Sequence, residues 1–151
     1  MAQTRVDLDS SVGYVLKQAA AALRASMEAA LRPLGLNVPQ YACLELLGQR
    51  PGLSAAELAR GAFVTRQSMH TVLQGLQDRG LLTRPPTAPQ GRALPTRLTD
   101  QGARLLAQAS GAVAEVEQRM LDGLPADRAE RLRQDLAACA AALTAREAAS
   151  S

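Results

Sequence analysis

The side chains of this chain that could do chemistry are arginines, amides and hydroxyls, with few nucleophiles or metal ligands among them. The 151 residues hold one histidine, His70, and two cysteines, Cys43 and Cys139. A structural zinc site needs four Cys/His ligands at short spacing, and a Ser/His/Asp or Cys/His relay needs a histidine in a protected pocket. Neither can be assembled from this set, so no catalytic residue, metal ligand or cofactor is expected and the chain reads as a non-enzyme. Aromatics amount to 2%, namely Tyr14, Tyr41 and Phe63 without any Trp. That removes the material for a base-stacking platform or an aromatic cage. What remains is concentrated between Thr65 and Arg79. There Arg66, Gln67, His70, Thr71 and Gln74 fall on one side of a helical repeat and Met69, Val72, Leu73 and Leu76 on the other. Guanidinium suits guanine edges, an amide suits adenine, and a hydroxyl takes phosphate or either base edge, which is the chemistry of a helix entering a major groove.

An amphipathic helix with a polar face is by itself an ordinary solvated helix, so the charge around it decides. The segment Arg60 to Arg104 carries seven arginines against Asp78 and Asp100, while the rest of the chain has ten basic and twelve acidic residues. The formal net charge of +3 therefore hides a local excess of positive charge suited to a polyanion met by one face. Arg92, in the run Arg84-Pro85-Pro86-Thr87-Ala88-Pro89-Gln90-Gly91-Arg92, reads as a loop-tip probe of a minor groove. Arg84 and Arg97 at the base of that loop are phosphate partners, or else pair with an acid such as Asp100. Ser54, Thr65 and Ser68 sit at helix starts, where a hydroxyl caps the helix, touches phosphate, or does both.

The elements that must position these groups are mainly helical, since alanine, leucine and arginine dominate. A helix from Ser11 to Leu34 is expected on the spacing of Val12, Val15, Leu16, Ala19, Ala22, Leu23, Met27, Ala30 and Leu31, with Gly35 as its stop. Asn37 with Gln40 caps a second helix that Arg50-Pro51-Gly52 ends, and Ser54 with Glu57 forms a capping box for a short third. Thr65 caps the helix running to Arg79, and Gly80 closes it. Leu58, Ala59, Ala62, Val64, Met69 and Val72 match the apolar skeleton of a helix-turn-helix, although Phe63 stands where the tightest versions have glycine, so a slightly looser turn is expected. Leu81–Thr83 and Ala93–Leu98 read as two short strands flanking the Pro-rich loop, which makes the arrangement a winged helix. Thr99 caps a long helix to Leu121, and Pro125 opens a last one to Arg146 with Leu132, Leu136, Cys139 and Leu143 along one side.

Four pieces then resemble one family in order and spacing. They are Leu36-Asn37-Val38-Pro39-Gln40-Tyr41, Leu53-Ser54-Ala55-Ala56-Glu57-Leu58-Ala59, Gly80-Leu81-Leu82, and Arg92-Ala93-Leu94-Pro95-Thr96-Arg97-Leu98-Thr99-Asp100-Gln101-Gly102. With them the chain resembles the MarR family of bacterial winged-helix transcriptional regulators over almost its whole length. Gln90 stands where the family's wing carries an acid that braces the arginine matched by Arg92, and a neutral amide cannot form that ion pair. Gly13 falls where the peroxide-sensing branch has its reactive cysteine.

The resemblance implies one domain over residues 1–151. It divides into dimerisation helices at 11–34 and 125–146, a DNA-binding winged-helix lobe at 37–104 and a connecting helix at 105–122. It implies a homodimer held through Val12, Leu16, Leu23, Leu132, Leu136 and Leu143, bound to an inverted repeat in duplex DNA. A small-molecule effector pocket is expected by position near Tyr14, Lys17, Met27, Tyr41 and Cys43. With no secretory leader, no disulfide framework and no apolar run of membrane length, the expected compartment is the cytoplasm. The function implied is a DNA-binding regulator, acting as a repressor released by an effector. The alternatives are a helical protein-interaction module and a cysteine-based redox-responsive regulator.

Overall fold

The computed structural model describes residues 5–84 and 95–150, so Gln90 and Arg92 of the expected wing lie outside the described residues. The chain forms two compact units, Met1–Val116 and Glu117–Ser151. Helix α1 spans Val12–Leu31, and Ser11 starts it by accepting the Tyr14 N–H on Oγ at 3.2 Å. The α-helix stops three residues short of the expected Leu34. Pro33 has no N–H to continue the ladder, and Arg32–Leu34 tightens into a 3-10 turn ending at left-handed Gly35.

Helix α2 (Val38–Gln49) opens with the expected reciprocal box, Asn37 and Gln40 each accepting the other's backbone N–H at 2.9 Å. Helix α3 (Ala55–Ala62) does the same with Ser54 and Glu57. The Ser54 backbone N–H, and after it the Ser54 hydroxyl, hold the Glu57 carboxyl below the usual carboxylate range. Helix α4 (Arg66–Asp78) starts from Thr65, whose Oγ1 accepts the Ser68 N–H at 3.1 Å.

The turn between α3 and α4 is not lengthened by the missing glycine. Phe63 itself adopts the left-handed conformation (φ 59°, ψ 40°), and its N–H is donated back to the last turn of α3. Left-handed backbone costs a non-glycine residue roughly 1–2 kcal/mol. The Phe63 ring recovers none of that by burial, being 93% exposed.

Strands β1 (Leu82–Thr83) and β2 (Arg97–Leu98) pair antiparallel, Leu82 opposite Leu98 and Thr83 opposite Arg97. Leu81, Pro95 and Thr96 of the expected strands are not paired in this sheet, and Ala93 and Leu94 lie outside the described residues. Helix α5 (Asp100–Leu121) follows at once, with Thr99 Oγ1 accepting the Gly102 N–H at 3.0 Å. Helix α6 (Ala129–Ala149) begins four residues later than the expected Pro125, because the Pro125 carbonyl is taken in a short turn by the Arg128 N–H. It also outlasts Arg146, continuing on Ala148 and Ala149, which are strong helix formers. No helix among the described residues is long and apolar enough to cross a membrane.

In the first unit one core gathers Leu31, Leu36, Leu44, Leu47, Leu58, Met69, Leu73, Leu76, Leu81, Leu82 and Ala109. Each residue expected on the inner face of α4 is there, with Met69, Leu73 and Leu76 fully buried and Val72 partly so. A side-chain tie links α2 to α5, since Glu45 accepts from Ser110 at 2.6 Å while also holding Gln49 at 2.7 Å. The base of the hairpin is fastened through backbone carbonyls. Thr99 donates its hydroxyl to the Gly80 carbonyl at 2.7 Å and its N–H to the Leu81 carbonyl at 3.1 Å. Immediately beyond, a Cβ on Gly102 would lie 2.0 Å from the Leu81 carbonyl oxygen.

That approach predicts opposite outcomes for two glycines. Gly102→Ala forces two backbones apart and is expected to cost about 3 kcal/mol. Gly75→Ala, with no neighbour within 4 Å of the new Cβ, is expected to stabilise α4 by about 0.5–1 kcal/mol. Urea unfolding of the two variants checks the pair, and equal midpoints would contradict the close contact.

Candidate nucleic-acid interface

Helix α4 presents Arg66, Gln67, His70, Thr71 and Gln74 to solvent, opposite the three residues it buries. Among the described residues, Arg66 and His70 make no side-chain hydrogen bond or ion pair, so their donors are available. Thr71 bonds weakly back to the Gln67 carbonyl at 3.4 Å, and Gln74 Nε2 donates to Asp78 Oδ1 at 2.9 Å. Thr65 donates its hydroxyl to Ser68 Oγ at 2.9 Å, which puts both hydroxyls at the start of the helix. Ser54 is engaged in the α3 box. The two helix starts and the α4 face belong to a pair of helices, α3 and α4, packed on one core.

Arg97 is exposed on β2 and Arg84 is half-buried just after β1. Neither pairs with Asp100, since the ion pairs among the described residues are Arg24–Glu28 and Arg133–Glu130. Arg92 has no described position. One contact the sequence did not suggest is Arg79 Nη1 donating to the Gly35 carbonyl at 2.8 Å. It ties the C-terminal end of α4 to the turn after α1. The only signal for it was an arginine placed at a helix end across from a glycine stop, which is too common to point to a partner 44 residues away.

Cys43 is completely enclosed in the core, and burial pushes its thiol up to about 12, against a smaller opposite pull from Arg84. Cys139 is exposed on α6. Of the other residues expected near an effector, Tyr14 and Lys17 are exposed on α1, and Met27 and Tyr41 pack against the core. Of those expected at a dimer seam, Val12, Leu16, Leu136 and Leu143 are 78%, 45%, 41% and 70% exposed, and Leu23 and Leu132 are half-buried.

Residues 34–93 match the sequence profile of the MarR family. The HTH-type transcriptional repressor Rv2887 of Mycobacterium tuberculosis is 44% identical over 128 residues, 85% of this chain and 92% of that protein. The chain belongs to the MarR family. Solved structures agree with the MarR assignment. The crystal structure of Rv2887 in complex with salicylic acid is 43% identical, with a TM-score of 0.73, covering 87% of this chain and 97% of that one. The Rv2887 complex with DNA is 41% identical, with a TM-score of 0.74, covering 87% and 98%. The MarR match begins at the turn after α1 and takes in α2, α3, α4 and β1, the elements that fix the exposed α4 face. The resemblance and the mainly helical, winged helix-turn-helix class read from the sequence are thus borne out.

The closed surroundings of Cys43 have a measurable consequence. In a Cys139→Ser background at pH 8, an aromatic disulfide reagent is expected to leave folded Cys43 unmodified and to react at once in urea. Reaction of the folded protein at the rate of a free thiol would contradict the burial. Because the folded thiol titrates above its ordinary 9.0, its contribution to stability is complete below pH 9 and is lost as pH rises from there towards 12.

Proposed function

We propose that this chain is a transcriptional repressor that binds an inverted repeat in double-stranded DNA as a homodimer and is released by a small organic acid. The observation that carries the reading is the α4 face, five polar side chains held outward by three fully buried ones within a strongly basic segment. In this reading Arg66, Gln67, His70, Thr71 and Gln74 meet base edges in the major groove. Ser54, Thr65, Ser68, Arg84 and Arg97 meet phosphates, and Arg92 enters the minor groove. It is supported by Rv2887, which is a repressor solved with DNA and with salicylic acid.

The dimer is assigned to residues 11–34 and 125–146, the DNA lobe to 37–104 and the connection to 105–122. Exposed apolar Val12, Leu16, Leu136 and Leu143 favour burial against a second copy. The effector is assigned to the neighbourhood of Tyr14, Lys17, Met27, Tyr41 and Cys43. It weakens DNA binding only by its differential affinity for the two lobe spacings. The protein acts in the cytoplasm and catalyses no reaction. A thiol sensor at Cys43 is disfavoured, because a neutral, enclosed thiol is a poor nucleophile.

Fluorescence anisotropy with a duplex from the chain's own upstream region, in a salt titration, tests the reading. Gln67→Ala is expected to cost about 1–3 kcal/mol on the preferred sequence and to relax discrimination at one base pair. Arg92→Ala is expected to weaken all sequences and to lower the salt slope by about one per half-site. Wild-type affinity and slope in both variants would contradict the reading.

A further inference from the structure

On the first unit, at the C-terminal end of α4, lies an open groove of about 310 Å³. Its apolar side is Leu34, Leu81 and Leu105, and its polar side is Arg79, Arg104, Gln101 and Gln108. The two arginines have no carboxylate within 4 Å among the described residues. Among the described residues, the nearest acids in sequence pair with neither, Asp78 accepting instead from Gln74 and Asp100 forming no ion pair. Arg79 is also held in place by the bond from its Nη1 to the Gly35 carbonyl at 2.8 Å, and the other N–H groups of its planar fork have no acceptor among the described residues.

We infer that this groove is a binding site for a small organic carboxylate with an apolar ring, additional to the region of α1 and α2 assigned above. Two guanidiniums beside two amides recognise a carboxylate through charge-assisted, bidentate bonds, and three leucines accept a ring. The volume lies at the small end of ligand sites, which suits a one-ring acid better than a nucleotide-bearing one. The walls come from four places: the turn after α1, the residue that caps the C-terminal end of α4, the residue before β1 and the first turns of α5. An acid bridging Arg79 and Arg104 therefore clamps the C-terminal end of α4 to α5. It uses the N–H groups of the Arg79 fork that the Gly35 carbonyl does not take, and so adds a second tie at that end of α4. The inference rests on the reading of a regulator that responds to small acids, and adds where one of them sits.

Isothermal titration of the full chain with salicylate, and with benzoate as a second probe, tests it. Arg104→Gln removes one guanidinium from an exposed position, Gln108→Glu places a repelling carboxylate in the groove, and Lys17→Gln probes the α1 region. The expected result is acid binding to the wild type that weakens about tenfold or more in both Arg104→Gln and Gln108→Glu. Amide shifts on titration should then centre on Leu81 and Leu105. Loss of binding in Lys17→Gln with both groove variants unaffected overturns the groove and leaves the effector reading standing. Absence of any binding, together with DNA affinity indifferent to both acids, overturns both.

Discussion

A backbone contact with no room for a methyl group governs this molecule. At Gly102 the first turn of α5 lies directly against the Leu81 carbonyl, and Thr99 fastens the same point with bonds to Gly80 and Leu81. Leu81 follows the left-handed Gly80 that ends α4, and Leu82 is the first residue of the hairpin. One small patch thus sets three directions: where α4 stops, where the hairpin leaves and where α5 begins. Two hydrogen bonds of about 1 kcal/mol each would not by themselves hold three elements, but the close packing that glycine permits makes the arrangement cooperative.

Helix α4 is consequently held at both ends and along one side. Thr65 fixes its start, the Arg79–Gly35 bond and the Gly80 turn fix its end, and Met69, Leu73 and Leu76 fill the core beneath. Its polar face is held outward by that packing, which is the preorganisation that the proposed base readout would require. The weak net charge of the whole chain conceals this, because the arginine excess lies in the segment that carries α4 and the hairpin while the remainder is slightly acidic.

Features made by neighbours in sequence were legible. The Asn37–Gln40 and Ser54–Glu57 boxes, the Thr65 and Thr99 caps and the inward stripe of α4 all follow from contacts a few residues apart. The α4 face was legible for the same reason, since period alone divides Arg66, Gln67, His70, Thr71 and Gln74 from the buried side. Features decided by tertiary context were not. Phe63 takes a glycine-like conformation that its residue type opposes, and the start of α6 depends on a turn that captures the Pro125 carbonyl. The Arg79–Gly35 bond and the groove beside it join residues from distant parts of the chain, and no local spacing announces them.

The central claim is that two copies of the α4 face read duplex DNA together. The most direct measurement is selection of bound sequences from a pool of random duplexes, followed by hydroxyl-radical footprinting of the enriched sequence. The predicted result is an inverted repeat whose half-sites lie about 10 base pairs apart centre to centre, protected on one face of the duplex. Absence of enrichment, or enrichment of a single unpaired half-site, would contradict it.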